Sequence, residues 1–124
     1  VPFRTELTVR FGDVDPAGFV YYPRLVHYCH VAMEDVFGKR LGLAYASYLE
    51  EHGLGLPTVH LEADYYRPIH YGDRITLEVT IERLGETSIV WRYRLLRDGE
   101  EPPAAEMRIV TVNMDLETHS KRPI

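Results

Sequence analysis

The stretch Val9-Arg10-Phe11-Gly12-Asp13-Val14-Asp15-Pro16-Ala17-Gly18-Phe19-Val20-Tyr21-Tyr22-Pro23-Arg24 changes character twice. Leu7, Val9 and Phe11 alternate with Thr8 and Arg10, the period of a half-buried strand that is expected to end at Gly12. Residues 13–18 are rich in turn formers, and Pro23 stands where a first helical position tolerates a missing N–H. The order read here is strand, loop, helix.

Beyond Leu25, the apolar residues Cys29, Ala32, Met33 and Val36 recur at spacings of three and four, and Val26, Tyr28, Val31 and Phe37 widen that face. Such a helix is expected to be wrapped by the rest of the fold. Gly38 and Gly42 bracket its end, and residues 44–51 read as a shorter helix stopped by His52-Gly53. Four strands follow, at 58–66, 74–84, 87–97 and 104–115. In the second, Ile75, Leu77, Val79 and Ile81 alternate with Thr76, Glu78, Thr80 and Glu82. Turns at Gly85-Glu86 and Asp98-Gly99 make antiparallel neighbours. The fold class is α+β, one domain over residues 1–124, with a long helix on one face of a curled antiparallel sheet. Ile89-Val90-Trp91 and Met107-Arg108-Ile109-Val110 place apolar residues side by side, so the other face also needs cover, and a second copy of the chain is the economical one.

Fourteen Lys and Arg against 19 Asp and Glu leave a formal charge of −5, which repels a phosphate backbone and argues against a nucleic-acid partner. The single cysteine, Cys29, can form neither an internal disulfide nor a multi-cysteine zinc site, so cytoplasm is the expected location. The first ten residues lack the features of a signal peptide. No stretch approaches the roughly 18 apolar residues a membrane helix needs, so no membrane partner is expected.

The 9–24 stretch closely resembles the signature of the 4-hydroxybenzoyl-CoA thioesterase family of hot-dog-fold proteins, without a gap. A second family-like run is Tyr66-Arg67-Pro68-Ile69-His70-Tyr71-Gly72-Asp73. The resemblance implies a hot-dog fold, coenzyme A thioester substrates, no metal or other cofactor, and a homodimer or homotetramer with active sites at the subunit interface. It assigns the catalytic carboxylate to Asp15 and the donor to the thioester oxygen to the backbone N–H of Tyr22. Gly18, Val20, Pro23, His30, His60 and Arg67 are the residues expected to bind substrate.

The residues themselves can do this chemistry. A thioester carbonyl gathers negative charge as it is attacked, and a helix start offers unpaired N–H groups and a positive dipole end. Pro23 lacks an N–H, which restricts the donors to Tyr22 and residues beyond Pro23. Asp15 can attack the carbonyl to give a mixed anhydride or deprotonate water. Asp13 is expected to serve the turn.

His27, His30 and Glu34 have helical spacing, but no ligand motif extends them, and no metal is expected. His30 falls near a position that is acidic in relatives specialised for hydroxybenzoyl groups, which leaves aliphatic and other aryl groups open. Cys29 reads as a buried thiol. Ser47, Ser88 and Ser120 lack a Gly-x-Ser-x-Gly frame. Cations for the coenzyme A phosphates could come from Arg67, Arg74, Arg83, Arg92, Arg94 and Arg97, although most of these are expected to be solvated strand residues paired with Glu78, Glu82 or neighbouring acids, and Gly85-Glu86-Thr87 departs from relatives with a basic cluster there. Pocket depth depends on how Tyr28, Tyr48, Tyr65, Tyr66 and Trp91 pack. Two other functions stay open: a hydratase or dehydratase using His60 or His70, and a non-catalytic acyl-thioester binding protein.

Overall fold

The computed structural model describes residues 2–124. Strand β1 (Phe3–Thr8) leads through a 3-10 turn (Phe11–Asp13) to helix α1 (Tyr22–Arg40) and the short α2 (Tyr45–Glu50). Strands β2 (Leu54–Gly55), β3 (Thr58–Tyr65), β4 (Arg74–Leu84), β5 (Ser88–Arg97), β6 (Ala105–Val112) and β7 (Met114–Asp115) follow. Five strands form one antiparallel sheet in the order β1-β4-β5-β6-β3, and β2 pairs with β7 apart from it.

Each link between β4, β5 and β6 makes sheet neighbours, as the turns predict. The β4–β5 connection closes with the Gly85 N–H donating to Ser88 O. Asp98 and Gly99, both at positive φ, turn the chain after β5, a conformation that Asp and Gly tolerate. The longer connection after β3 carries the chain across the sheet, so β3 and β4 are not neighbours and β3 becomes an edge.

One sheet face carries Ile75, Leu77, Val79, Trp91, Tyr93, Leu95, Met107 and Ile109 against the α1 face of Leu25, Tyr28, Cys29, Ala32, Met33, Val36 and Phe37. Full burial of a leucine such as Leu77 or Leu95 contributes roughly 1.5–3 kcal/mol relative to exposure. Cys29 lies within this core, its Sγ 3.6 Å from Met107 Sδ, and burial pushes its thiol pKa far up.

The opposite face is partly buried, as expected, and combines apolar side chains with ion pairs. Arg94 pairs with Glu78 at 2.8 Å, Arg4 with Glu78 at 2.6 Å, and Arg108 with Glu82 at 2.8 Å. Val90 and Leu96 are buried without a second chain, so adjacent apolar residues in β5 do not require one. Partial exposure keeps most of these ion pairs individually weak.

Two boundaries also move. β1 stops at Thr8 rather than Gly12: the Val9 N–H donates to Asp73 O, and Phe11 enters the 3-10 turn exposed. The last strand breaks at Asn113, whose N–H donates to Thr87 O and whose buried amide donates to the carbonyls of Arg122 and Pro123.

Candidate active site

The loop between β1 and α1 is closed on itself by its own hydrogen bonds. The Asp15 N–H donates to Phe19 O at 2.9 Å, the Gly18 N–H to Asp15 O at 2.9 Å, and the Ala17 N–H to Asp15 Oδ1 at 2.9 Å. Asp15 is thus held in an Asx turn, and Gly18 takes a φ of 90° that a side chain would disfavour. Val14 and Val20 form a bridge, as do Phe19 and His70, while the Val20 N–H donates to Ile69 O at 2.7 Å. These contacts join the two family-like runs in space.

Asp13 is bonded more extensively. Its N–H donates to Arg10 O and its carbonyl accepts from Tyr21 N–H at 2.9 Å. Its Oδ2 accepts from the Arg10 N–H at 3.2 Å and from the Tyr28 hydroxyl at 2.7 Å, and Arg24 Nε lies 3.9 Å from Oδ1. Asp13 therefore has the structural role expected of it.

At the helix start, Tyr21 is extended (φ −63°, ψ 127°) and provides no side-chain cap. The Arg24 N–H donates to Tyr21 O. Among the described residues, nothing accepts a hydrogen bond from Tyr22 N–H, so it remains available at the positive end of a 19-residue helix.

Two hollows flank this point. One is lined by Phe19, Val20, Tyr22, Leu25, Tyr65, Tyr66, Arg67, Pro68 and Ile69. The other, about 310 Å³, lies between α1 and the inner sheet face and is lined by Pro23, Val26, His27, His30, Met33, Leu56, Thr58, Leu61, Tyr93, Ile109 and Thr111. Val20, Tyr22 and Arg67 thus gather on one side, and Pro23 and His30 on the other. Asp15 and Gly18 stay on the loop and line neither.

His60 is not brought into this group. It sits on edge strand β3 with the parity of Glu62, whose Oε1 is 2.8 Å from His60 Nε2, while Leu61 faces the second hollow. His70 and Phe19 pack in an edge-type arrangement with ring centroids 5.6 Å apart, and His70 Nδ1 is 3.8 Å from Asp73. His27 and His30 stack with centroids 6.4 Å apart, and His30 Nε2 is 3.7 Å from Glu34. Trp91 belongs to the core and donates to Thr111 Oγ1 at 2.9 Å. Tyr93 was not anticipated as a wall of the hollow, although its alternation with Trp91 and Leu95 placed it on the inner face.

The sequence matches the model of the thioesterase-like superfamily over residues 9–124. It is 32% identical over 123 residues to a 1,4-dihydroxy-2-naphthoyl-CoA hydrolase of Synechococcus elongatus, covering 98% of this chain and 88% of that one. The corresponding hydrolase of Prochlorococcus marinus is 33% identical over 113 residues, covering 86% and 72%. The fold superposes with a TM-score of 0.90 on a 1,4-dihydroxy-2-naphthoyl-CoA thioesterase from Synechocystis, at 26% identity, over 100% of this chain and 90% of that one. The chain therefore belongs to the thioesterase-like superfamily and has its hot-dog architecture. It is an acyl-CoA thioesterase.

Proposed function

We propose that this enzyme hydrolyses hydroxylated aryl-CoA thioesters of the 1,4-dihydroxy-2-naphthoyl kind, with Asp15 and the Tyr22 N–H as its catalytic groups. The observation that carries the proposal is the pairing of an unengaged helix-start donor with a carboxylate fixed on the adjoining loop. As the carbonyl carbon is attacked, its oxygen takes the electron pair and is held by the Tyr22 N–H and the helix dipole. Collapse of that adduct breaks the C–S bond, and the sulfur leaves as the coenzyme A thiolate.

Asp15 supplies the attack by one of two routes. As a nucleophile it forms an anhydride that water then opens; as a base it takes a proton from the attacking water. In a single turnover in ¹⁸O-water the base route always labels the acid, so wholly unlabelled acid, with the label left on Asp15, identifies an anhydride opened at the Asp15 carbonyl.

The second hollow supports the choice of acyl group. Its walls are largely apolar, while His27, His30, Thr58 and Thr111 supply polar groups, a combination suited to a flat ring system bearing hydroxyls. The relatives named above act on such an acyl group. On a panel of CoA thioesters, kcat/KM should be at least about tenfold higher for 1,4-dihydroxy-2-naphthoyl-CoA than for short or long aliphatic acyl groups. Equal or better aliphatic turnover would reject the aryl assignment, and tight binding of every thioester with no turnover would point to a binding protein.

Self-association belongs to the same proposal. β3 is an edge, with Val59 59% and Leu61 40% exposed, and an open edge invites another strand. Antiparallel pairing of β3 with β3 of a second copy would be isologous and would cover the hollow on its Leu61 and Thr58 side. Sedimentation velocity should give a dimer or tetramer, shifted towards monomer by Val59→Asp. A wild-type monomer at micromolar concentration would refute the assembly.

A further inference from the structure

We infer that Asp13 and Tyr28 form a positioning pair that sets Asp15 in register with the Tyr22 N–H. The inference rests on the catalytic roles proposed above and concerns residues that do not themselves touch the thioester.

The problem this pair solves is mechanical. Among the described residues, Asp15 is bonded only within its loop, to Ala17, Gly18 and Phe19. None of these three bonds reaches α1, where the oxyanion donor sits. The side chain that crosses from loop to helix is Asp13, two residues earlier. Its Oδ2 accepts from the Tyr28 hydroxyl at 2.7 Å, the short distance of a charge-assisted O–H···O⁻ bond. Tyr28 lies beyond the first turn of α1 and is 5% exposed, so its ring cannot move without repacking the core.

The same residue also acts through its backbone. The Asp13 carbonyl accepts from Tyr21 N–H, fixing the residue just before the donor. One residue thus holds the loop to the helix body by its carboxylate and to the helix start by its carbonyl. Asp15 lies two residues after Asp13, beyond Val14, and Tyr22 follows directly after Tyr21. Burial and the adjacent carboxylate raise the Tyr28 pKa, so the hydroxyl remains a donor throughout the working pH range.

Tyr28→Phe removes the hydroxyl and leaves the ring. It should lower kcat by about tenfold or more while KM changes less than about twofold, because a small misplacement of catalytic groups acts on the transition state. Asp13→Ala should do at least as much, and the double variant should be no worse than Asp13→Ala alone, the signature of a shared function. Amide hydrogen exchange provides a readout that does not depend on turnover. In Tyr28→Phe, exchange over residues 10–22 should speed up by about tenfold with the β4–β6 amides unchanged.

Loop exchange equal to wild type overturns the inference, whatever the activity. So does a Tyr28→Phe enzyme that turns over like wild type, or additive effects of the two substitutions. Failure of the thioesterase chemistry itself would appear elsewhere, as absent wild-type turnover across the panel or an unaffected Asp15→Asn enzyme.

Discussion

Asp15→Asn will lower kcat for the enzyme's best thioester on the order of a thousandfold or more, since removing a nucleophile or general base leaves only binding and oxyanion stabilisation to act. Asparagine is nearly isosteric and retains the oxygen that accepts from Ala17 N–H, so the Asx turn should persist. The expected pattern is a collapsed kcat with intact substrate affinity, measured by calorimetry with a non-hydrolysable thioether. A variant within tenfold of wild type would reduce Asp15 to a turn residue.

A second large effect is expected from a backbone substitution. Tyr22→Pro deletes the N–H proposed as the oxyanion donor and should lower kcat by about 10²–10³. The first helical position accepts proline, and Tyr21, at φ −63° and ψ 127°, already has the extended backbone required before one. Tyr22→Ala is the matching control, removing the same ring while keeping the N–H. If both variants lose activity equally, the side chain rather than the amide is responsible, and the oxyanion would have to be held elsewhere.

The parts of this architecture that were legible in the sequence are those governed by local physics. The three- and four-residue spacing from Leu25 to Phe37 found the helix and its buried face. The alternation from Ile75 to Val79 found the inner side of β4. Alternation misplaced β1 because it reports only that side chains point to opposite sides. Val9 is buried as its spacing requires, yet its N–H has left the ladder for Asp73.

The position of β3 at the far edge depends on a chain crossing that no local period encodes. On the outer face, the pairing of strand arginines with Glu78 and Glu82 and the partial burial were legible, but not that Val90 and Leu96 can be buried by their own chain. At the site, the loop and helix start could be read residue by residue. The two hollows could not, since each draws on segments distant in sequence. The Tyr28 link to Asp13 was hidden for another reason: Tyr28 matched the apolar helix face, which says nothing of where a hydroxyl points.

Cys29 makes catalysis convenient to observe. The product carries a fresh sulfhydryl, and chromogenic disulfide reagents report it by reacting with thiolate. The enzyme's one cysteine is fully buried, and its pKa is raised well above the range in which thiolate forms. Native enzyme should therefore contribute almost no colour, so that absorbance counts turnovers directly. A slow rise in substrate-free samples would instead count molecules that have opened, so the reagent also serves as a gauge of unfolding.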